Sequence, residues 1–354
     1  MGTFGIMALT PPGLLDPSIA IAASRAGALG ILDLEYLGDQ QAGRAALTRL
    51  VRYGRGDLGV KLAGEPDPMV ADVVAGLPKE ITVIVLTGGE GEPLRERVGN
   101  LRQRRATILL EVSCLEQGLL GEALGVDGLI AKGHEAGGRV GEETTFILLQ
   151  RLLASVSLPV WAHGGIGLHT AAACYTAGAA GVVLDAQLAL TRESPLPETA
   201  RALIARLDGS ETITLGAELG EDYRLYARPG RPVLEELRQI TRTLDQDSRP
   251  RAERLEAWCR AVRERAGWGP PEQCVWLLGQ DAAFAKPLAR RFHTVGGIVQ
   301  GFREAIASHV RMAASARPLD QGGPMARSHG THYPIVQGPM TRVSDVPTFA
   351  LRIA

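Results

Sequence analysis

Short apolar runs that end in glycine or another small residue recur along this chain, and they restrict its possible folds more than any other feature. Three of them are Leu129–Gly141, Leu158–Gly167 and Gly181–Ala186. A buried parallel strand has this pattern when its C-terminal end must let another group approach the backbone. A helix-like segment follows each run, so strands and helices alternate. The C-terminal ends of these strands are therefore expected to meet in one place.

The same alternation begins at the N-terminus and continues to about residue 207. The predicted strands are Thr3–Leu9, Ala26–Leu34, Leu58–Leu62, Ile81–Leu86, Thr107–Val112, Leu129–Ala131, Pro159–His163 and Gly181–Leu184. The predicted helices are a first one that ends at Ala26 with Asp16 or Ser18 as its cap, then Gln40–Tyr53, Pro68–Gly76, Glu92–Arg104, Leu115–Leu124, Glu142–Ala154, Thr170–Ala177 and Pro197–Leu207. This order predicts an α/β fold, a (β/α)8 TIM barrel over residues 1–210. A doubly wound open sheet is the alternative, but its usual number of strands, about five or six, would leave two unassigned.

The pattern changes after residue 210. Residues 211–226 have weak strand character, and further helices are predicted at Val233–Leu244, Arg251–Ala266, Asp281–Phe292 and Gly297–Ala314. We therefore predict a mainly helical subdomain over 211–314, followed by a linker over 315–332 that is rich in Pro, Gly, Arg and Ser. Residues 333–354 resemble the beginning of the chain, since Gly338–Met340 corresponds to Gly5–Met7. They are either the start of a second, truncated barrel-like repeat or a tail that packs on the first barrel.

The composition favours a soluble protein with a large core. Hydrophobic residues make up 45% of the chain, and 38 basic residues nearly balance 39 acidic ones, so nothing indicates binding to nucleic acid or to an anionic membrane. The four cysteines include no CxxC pair, which favours free thiols in a reducing cytoplasm over disulfides or a metal site. Because the chain has neither a charged leader nor an apolar run long enough to span a membrane, we expect a cytoplasmic location.

The turn Gly164–Gly167 follows one predicted strand and precedes a helix. Unhindered backbone N–H groups and a helix N-terminus together form a cradle for phosphate, and the loops after the last two strands of such barrels are a frequent phosphate site. A tight turn without a ligand is the alternative. Asp185, at the end of the next strand, argues against phosphate, because its carboxylate repels an anion unless it points away or is paired.

Four segments resemble the nitronate monooxygenase (2-nitropropane dioxygenase-like) family of flavin barrels: GHEAGGRVG, LPVWAHGGIG, VVLDAQLALTRES and YPIVQGPM. They look most like its relatives within polyketide and polyunsaturated fatty acid synthases, including enoyl reductase subunits. The resemblance implies an FMN-dependent barrel. The implied cofactor-binding residues are Gly164, Gly165, Ile166, Gly167, Asp185 and Ala186 around the phosphate, with Met7, Lys61, Gly137, Gly138 and Gln280 nearer the flavin ring or its ribityl chain.

The chain departs from that family at two places. Nitronate oxidisers of the family have EAGGH, in which the histidine is the expected base, whereas this chain has Arg139, which keeps its proton at neutral pH. The family's Gly-Thr at the second phosphate loop is replaced by Asp185 and Ala186, so a hydroxyl donor is lost and a negative charge is gained. These departures argue against ordinary nitronate oxidation and predict that FMN affinity is weak or lost.

The candidates for catalysis are His134, Arg139, His163 and Lys61. In an enoyl reduction, reduced flavin gives hydride to Cβ, while a nearby acid or cation polarises the thioester carbonyl and protonates Cα. Arg139, Lys61 or His134 are candidates to polarise the carbonyl, and His134 or His163 to donate the proton. The structural alternatives are a packed His163, an ion pair between Lys61 and Glu111 inside the barrel mouth, and an Arg139 that binds an anion without chemistry.

The resemblance leaves two main functions open. The first is an FMN-dependent oxidoreductase domain of a polyketide- or fatty-acid-type multienzyme, which reduces an enoyl chain held on an acyl carrier protein, with NAD(P)H as electron donor. The second is a degenerate, catalytically inactive barrel that serves as a scaffold, docking or dimerisation module beside other synthase domains, with a homodimer as one form. Nitronate oxidation is a third alternative. Flavin absorbance of the purified protein distinguishes the first function from the second.

Overall fold

The computed structural model describes residues 4–64, 68–89, 91–228 and 230–336. The strands are β1 Gly5–Leu9, β2 Leu29–Asp33, β3 Leu58–Ala63, β4 Ile81–Thr87, β5 Thr107–Val112, β6 Gly128–Lys132, β7 Gly138–Val140, β8 Val160–His163, β9 Gly181–Leu184, β10 Thr212–Leu215 and β11 Asp222–Tyr226. The α-helices are α1 Ser18–Arg25, α2 Gln40–Tyr53, α3 Pro68–Ala75, α4 Gly91–Arg102, α5 Leu115–Leu124, α6 Thr145–Ser155, α7 Leu168–Ala177, α8 Glu198–Ile204, α9 Pro232–Asp245, α10 Arg251–Arg265, α11 Ala285–Phe292, α12 Val295–Ala316 and α13 Pro324–His329. Short 3-10 helices cover Ala186–Leu188, Ala217–Leu219 and Gln280–Phe284.

Parallel strands close into a barrel in the order β1, β2, β3, β4, β5, β6, β8 and β9. The barrel is completed where β9 pairs with β1, which places Gly181 opposite Gly5 and Leu184 opposite Ala8. A helix follows almost every strand, as expected for parallel neighbours that need a crossover connection. The predicted (β/α)8 barrel is therefore confirmed, and the alternative of an open doubly wound sheet is wrong.

The barrel strands separate two apolar layers, because successive side chains of a strand point to opposite faces. In β1, Met7 and Leu9 belong to the apolar cluster inside the barrel, whereas Ile6 and Ala8 pack against the helices. One close approach, between strand β2 and helix α1, requires a glycine. A Cβ on Gly30 would lie 2.0 Å from the backbone oxygen of Ala20, so any side chain there would push α1 away from the barrel.

The helix predicted to be the eighth of the barrel, Pro197–Leu207, does not belong to the apolar layer between the barrel strands and the surrounding helices. Its counterpart α8 lies in a separate apolar cluster with Trp268 and Trp276, whose ring centroids are 5.6 Å apart. Instead, α12 contributes to the barrel core. The buried residues of α12 recur three, four and seven positions apart and so form an apolar stripe along one face of the helix. This stripe is longer than the whole of α8, which has seven residues. The residues of this stripe are Val295, Ile298, Val299, Phe302 and Ile306.

A second sheet joins the barrel to the region after residue 210. β7 lies in the loop after β6 and pairs antiparallel with β11, which in turn pairs with β10. The sequence pattern does not predict β7, because three residues are too few to show alternation and its partner is distant along the chain. Helices α9 and α10 pack beside this sheet through Leu237, Trp258 and Val262. The segment 211–314 thus contains the predicted helices and two strands as well.

The described residues divide into two compact units, one that ends at residue 306 and one that begins at residue 307. In the second unit, α13 lies inside the segment 315–332 whose composition predicts a linker, and Gly330 ends this helix in the left-handed conformation at φ 66°. Residues 337–354, which contain most of the predicted repeat, lie outside the described residues. The domain boundaries at 210, 314 and 332 remain predictions. Among the described helices, none has both the length and the apolar character needed to cross a membrane.

Candidate functional site

Ionisable side chains gather at the mouth of the barrel, where the carboxyl ends of the parallel strands meet. The strands supply most of them, because closure of the barrel brings all these ends to the same face. Apart from Asp185, whose side chain is partly exposed, all of them are buried. We call this group the mouth network; its members are Asp33, Glu35, Lys61, Glu111, Lys132, His163 and Asp185.

Glu111 is the centre of the mouth network. Its Oε1 accepts hydrogen bonds from Thr87 Oγ1 at 2.8 Å and from Lys132 Nζ at 3.0 Å, and it lies 3.4 Å from Lys61 Nζ. Its Oε2 lies 3.3 Å from His163 Nδ1. Burial acts to raise the pKa of Glu111, but Lys132 and Lys61 outweigh it and hold that pKa well below its usual range. Glu111 is therefore a carboxylate fixed among cations.

Lys61 connects Glu111 to two further carboxyl groups. Its Nζ lies 2.9 Å from Glu35 Oε2 and 3.8 Å from Asp33 Oδ2. Burial acts to lower the pKa of Lys61, yet Glu111, Glu35 and Asp33 together raise it well above its usual value. Burial also raises the pKa of Asp33 to about 7, against the opposing effect of Lys61. The predicted ion pair of Lys61 and Glu111 is thus part of a larger cluster, in which Lys61 stays charged.

His163 is held between two acidic residues. Its Nδ1 faces Glu111, and its Nε2 lies 3.1 Å from Asp185 Oδ2. Burial acts to lower the pKa of His163, but Asp185 and Glu111 raise it to about 9. In return, His163 holds the pKa of Asp185 below its usual value, although burial opposes this. At neutral pH His163 is an imidazolium that bridges two carboxylates.

A second layer of polar groups, which the sequence does not predict, supports Asp185. Gln187 Oε1 accepts the backbone N–H of Asp185 at 2.8 Å, while its Nε2 donates to Ile166 O at 3.0 Å and to Asp281 Oδ2 at 3.1 Å. Asp281 is buried, and among the described residues its Oδ1 has no hydrogen-bond partner. Burial and the nearby Asp185 raise the pKa of Asp281 well above its usual value. Asp281 is therefore an acid whose protonated form is favoured next to Asp185, whose pKa is lowered.

The glycine turn before α7 is covered by protein. Gly164 and Gly165 have φ of 109° and 62°, which L side chains rarely adopt. A Cβ on Gly165 would lie 3.7 Å from Glu135 Cδ, and one on Gly167 would lie 3.4 Å from Phe284 Cζ. Glu135 itself is fixed, since its Oε2 accepts from the Thr145 N–H at 2.9 Å. The predicted phosphate cradle thus has the expected backbone conformation, but a carboxylate and an aromatic ring lie against it.

Of the other residues predicted to contact FMN, Gly137 and Gly138 line the small cavity at the mouth, whereas Met7 and Gln280 do not. Gly137 lies directly under the segment Leu277–Gly279, because a Cβ on Gly137 would be 2.6 Å from Leu277 O and 2.8 Å from Gly279 N. Met7 is buried inside the barrel, and the Gln280 side chain is exposed while its N–H donates to a backbone oxygen. A Cβ on Gly138 would lie 3.7 Å from Lys132 Nζ.

Two of the predicted catalytic residues lie outside the mouth network. Arg139 Nε pairs with Glu221 Oε1 at 2.6 Å, and its Nη2 lies 3.2 Å from Cys259 Sγ, so its guanidinium faces the subdomain. His134 Nδ1 lies 2.8 Å from the backbone oxygen of Gly141. The structure thus brings His163 and Lys61 together and separates them from Arg139 and His134.

We expect the Arg139 to Met substitution to lower the free energy of unfolding by about 1–3 kcal/mol, because it removes the cation from a largely buried Glu221. Urea denaturation of Arg139→Met, Glu221→Met and the double variant measures this effect and the coupling between the two side chains. We expect a coupling energy of about 1 kcal/mol or more. Additive losses would show that the pair does not stabilise the contact between β7 and β11.

Little space is left in the mouth. Residues of the mouth network, with Tyr36 and Leu277, line a cavity of about 20 Å³, and another of about 20 Å³ lies beside it against Pro12 and Trp268. Each holds about one water molecule. Cavities of about 520 and 530 Å³ lie elsewhere, between α3 and α4 and beside α1.

FMN does not fit the mouth as the described residues arrange it. Pockets for ligands of drug or cofactor size measure about 300–1,000 Å³, so the isoalloxazine ring lacks space. Its phosphate would also meet the carboxyl groups of Glu135, Asp185 and Asp281. A dianion beside carboxylates is repelled, and the nearby cations are already engaged, since His163 bridges two acids and Arg224 acts on Glu135 and Asp281.

The closed parallel barrel with a glycine turn before α7 defines a (β/α)8 barrel whose mouth is filled. Residues 63–279, more than half of the 354 residues, match the sequence model for nitronate monooxygenase. The chain therefore belongs to the nitronate monooxygenase family, a family of FMN-dependent oxidoreductases, and the predicted family is confirmed.

Curated relatives match only part of their length. The chain is 34% identical over 131 residues to the (3aS,4S,5R,7aS)-5-hydroxy-7a-methyl-1-oxo-octahydro-1H-indene-4-carboxyl-CoA dehydrogenase of Mycobacterium tuberculosis, an alignment that covers 34% of this chain and 36% of the relative. The dehydrogenase of the same name from Rhodococcus jostii is 26% identical over 191 residues, 52% of each protein. The chain thus spans between about a third and a half of the length of these relatives.

Solved structures share the fold over most of the chain. FabK from Thermotoga maritima superposes with a TM-score of 0.73 at 22% identity, covering 88% of this chain and 95% of FabK. The enoyl reductase domain of MlnA, from the macrolactin biosynthesis cluster of Bacillus amyloliquefaciens, has a TM-score of 0.67 at 12% identity, covering 88% of this chain and 96% of that domain. At these identities the likeness establishes the fold alone.

Proposed function

We propose that this chain is a barrel of the nitronate monooxygenase family whose mouth is closed by its own side chains, and that it serves as a structural module of a polyketide- or fatty-acid-type multienzyme. One observation carries the proposal: among the described residues, the mouth keeps only two cavities of about 20 Å³ each, and a buried ionic cluster fills the rest. In this function the barrel supports or docks other synthase domains, an acyl carrier protein or a second copy of itself, and performs no redox chemistry.

The energetics favour a closed mouth. To admit FMN, the segment Leu277–Gly279 must leave Gly137, and ion pairs such as that of His163 and Asp185 must separate. Breaking one buried pair costs about 3–5 kcal/mol, which would weaken any intrinsic FMN affinity by a factor of about 10² or more. The multienzyme setting is supported by the fold shared with the MlnA enoyl reductase domain and by the sequence segments that resemble synthase barrels.

The runner-up function is FMN-dependent enoyl reduction of a carrier-bound acyl chain, with NAD(P)H as donor. The observation in its favour is that Gly164 and Gly165 keep the left-handed backbone of a phosphate turn directly before α7. It would require a second conformation in which Leu277–Phe284 has left the mouth. Nitronate oxidation has less support, because Arg139 replaces the expected base and is ion-paired to Glu221.

We expect no saturable binding of FMN to the purified chain up to about 100 µM, because affinity must first overcome the cost of opening the mouth. Flavin fluorescence quenching and the absorbance of the chain after refolding with excess FMN both test this. Riboflavin, which lacks the phosphate, serves as the matched ligand. Micromolar binding of FMN with much weaker binding of riboflavin would refute the closed mouth and establish a working phosphate site.

A further inference from the structure

An anion already occupies the place next to the glycine turn, and the chain itself supplies it. Asp185 ends β9 with one carboxylate oxygen, Oδ1, 2.5 Å from the Ala186 N–H and the other, Oδ2, 3.1 Å from His163 Nε2. These are the two kinds of partner that a phosphate oxygen takes in proteins, namely a backbone N–H at the start of a helical turn and a cationic side chain. The 3-10 helix Ala186–Leu188 begins at this N–H.

The cation of this site is the side chain of His163, which is buried away from water. His163 has 2% of its surface exposed and is oriented from its other side by Glu111, which lies 3.3 Å from Nδ1. Glu111 is held by Lys132 and Lys61, so it keeps His163 in place, and it also acts to raise the pKa of His163 from the side opposite Asp185. The imidazole that Asp185 pairs with is therefore positioned by the barrel mouth and not by Asp185.

We infer that Asp185 is the residue that excludes phosphate-bearing ligands from this barrel, by acting as a permanent internal anion on His163 and the Ala186 N–H. The inference deepens the proposed function and depends on it, since a closed mouth needs its cation satisfied from within. Its consequence is specific: a chain that lacks this carboxylate should have an anion site of about the size of inorganic phosphate, even though the mouth stays too small for a flavin.

Asp281 is the group that could replace the missing carboxylate. It is buried next to Asp185, and burial together with the charge of Asp185 raises its pKa well above the usual value. Loss of Asp185 removes that repulsion, so Asp281 would ionise more readily and compete for His163. The sharpest variant is therefore Asp185→Ala combined with Asp281→Asn, and Asp281→Asn alone is the matched control, because it removes a buried carboxyl group without freeing the cation.

Isothermal titration with inorganic phosphate at neutral pH tests the inference. We expect the Asp185→Ala/Asp281→Asn chain to bind phosphate at least about tenfold more tightly than the natural chain, the factor set by one charge-assisted hydrogen bond, while Asp281→Asn alone behaves like the natural chain. Adding His163→Gln to the double variant should abolish the gain. Phosphate binding that is unchanged in the folded double variant, or a gain that survives His163→Gln, would overturn the inference.

The variant Asp185→Asn allows a second measurement. Unlike Asp185→Ala, it leaves no cavity that could destabilise the fold. This variant keeps the shape of the side chain and removes its charge, so the pKa of His163 measured by NMR should fall from about 9 toward its usual value of 6.5. A pKa that stays near 9 would overturn the inference. Flavin binding by the natural chain would refute the closed mouth, whereas a flavin-free Asp185 variant that takes up no phosphate would refute the role of Asp185 alone.

Discussion

Replacement of Glu111 by alanine should lower the free energy of unfolding by about 3–5 kcal/mol, the range typical of removing one partner from a buried charge cluster. Glu111 is the acid that Lys61, Lys132 and His163 share, at 3.4, 3.0 and 3.3 Å. Without it, three buried cations lie within a few ångströms of one another, with fewer carboxylates to balance them. Urea denaturation followed by circular dichroism measures the change, provided that the slope of the transition is conserved.

Two controls separate the cost of lost charge from that of lost volume. Glu111→Gln retains the size of the side chain and its hydrogen bond from Thr87, so it tests charge alone, and we expect most of the loss to persist. Glu143→Ala removes the carboxylate of an exposed pair with Arg151 and should cost less than about 1 kcal/mol. A Glu111→Ala chain as stable as Glu143→Ala would mean that water or other acids already balance the cations, and that the mouth network does not hold the barrel closed.

The barrel can be predicted from the sequence because the patterns that indicate its strands and helices lie within short segments of the chain. Apolar runs of four to seven residues between glycine and helix signals occur at each strand from β1 to β9 apart from β7, and each strand pairs with the next barrel strand along the chain. The exceptions depend on distant partners. β7 forms by pairing with β11, where Arg139 lies opposite Tyr223. Helix α12 rather than α8 packs on the barrel strands, because the chain returns to the barrel after the subdomain. The spacing of residues within one segment cannot predict either of these long-range contacts.

The sequence also predicts which residues lie at the site, but it does not predict their roles. A charged residue at the end of a barrel strand fits catalysis and ion pairing equally well, so Lys61 and His163 stay ambiguous until their partners are known. Asp281 gives no signal at all, because its importance comes from packing beside Asp185 and Gln187. What decides between an active and a closed barrel is the space left at the mouth, and that depends on where Leu277–Gly279 crosses Gly137.

The stability of the barrel should fall as the pH rises from 6.5 to 9, by an amount on the order of 3 kcal/mol. His163 has a pKa of about 9 in the folded chain and of about 6.5 when exposed, so the folded state binds its proton more tightly. Its contribution is therefore complete below pH 6.5 and is lost as the pH rises through 9. Asp33, whose pKa is raised to about 7, acts in the same direction at lower pH, between about 4 and 7.

Chemical denaturation at intervals between pH 6.5 and 9 measures this loss; Asp33 contributes only near its pKa of about 7, and the thiol of Cys174, with its pKa raised to about 11, matters only above pH 9. Glu111 and Asp185 have lowered pKa values, so their stabilisation is constant in this window and is lost only in acid. His163→Gln is the matched variant: it should be less stable than the natural chain at pH 6.5 and, once Asp33 has lost its proton above about pH 8, show a nearly flat profile up to pH 9. A natural chain whose stability does not change over this range would mean that His163 is neutral in the fold, and that Asp185 does not complete an ion pair at the mouth.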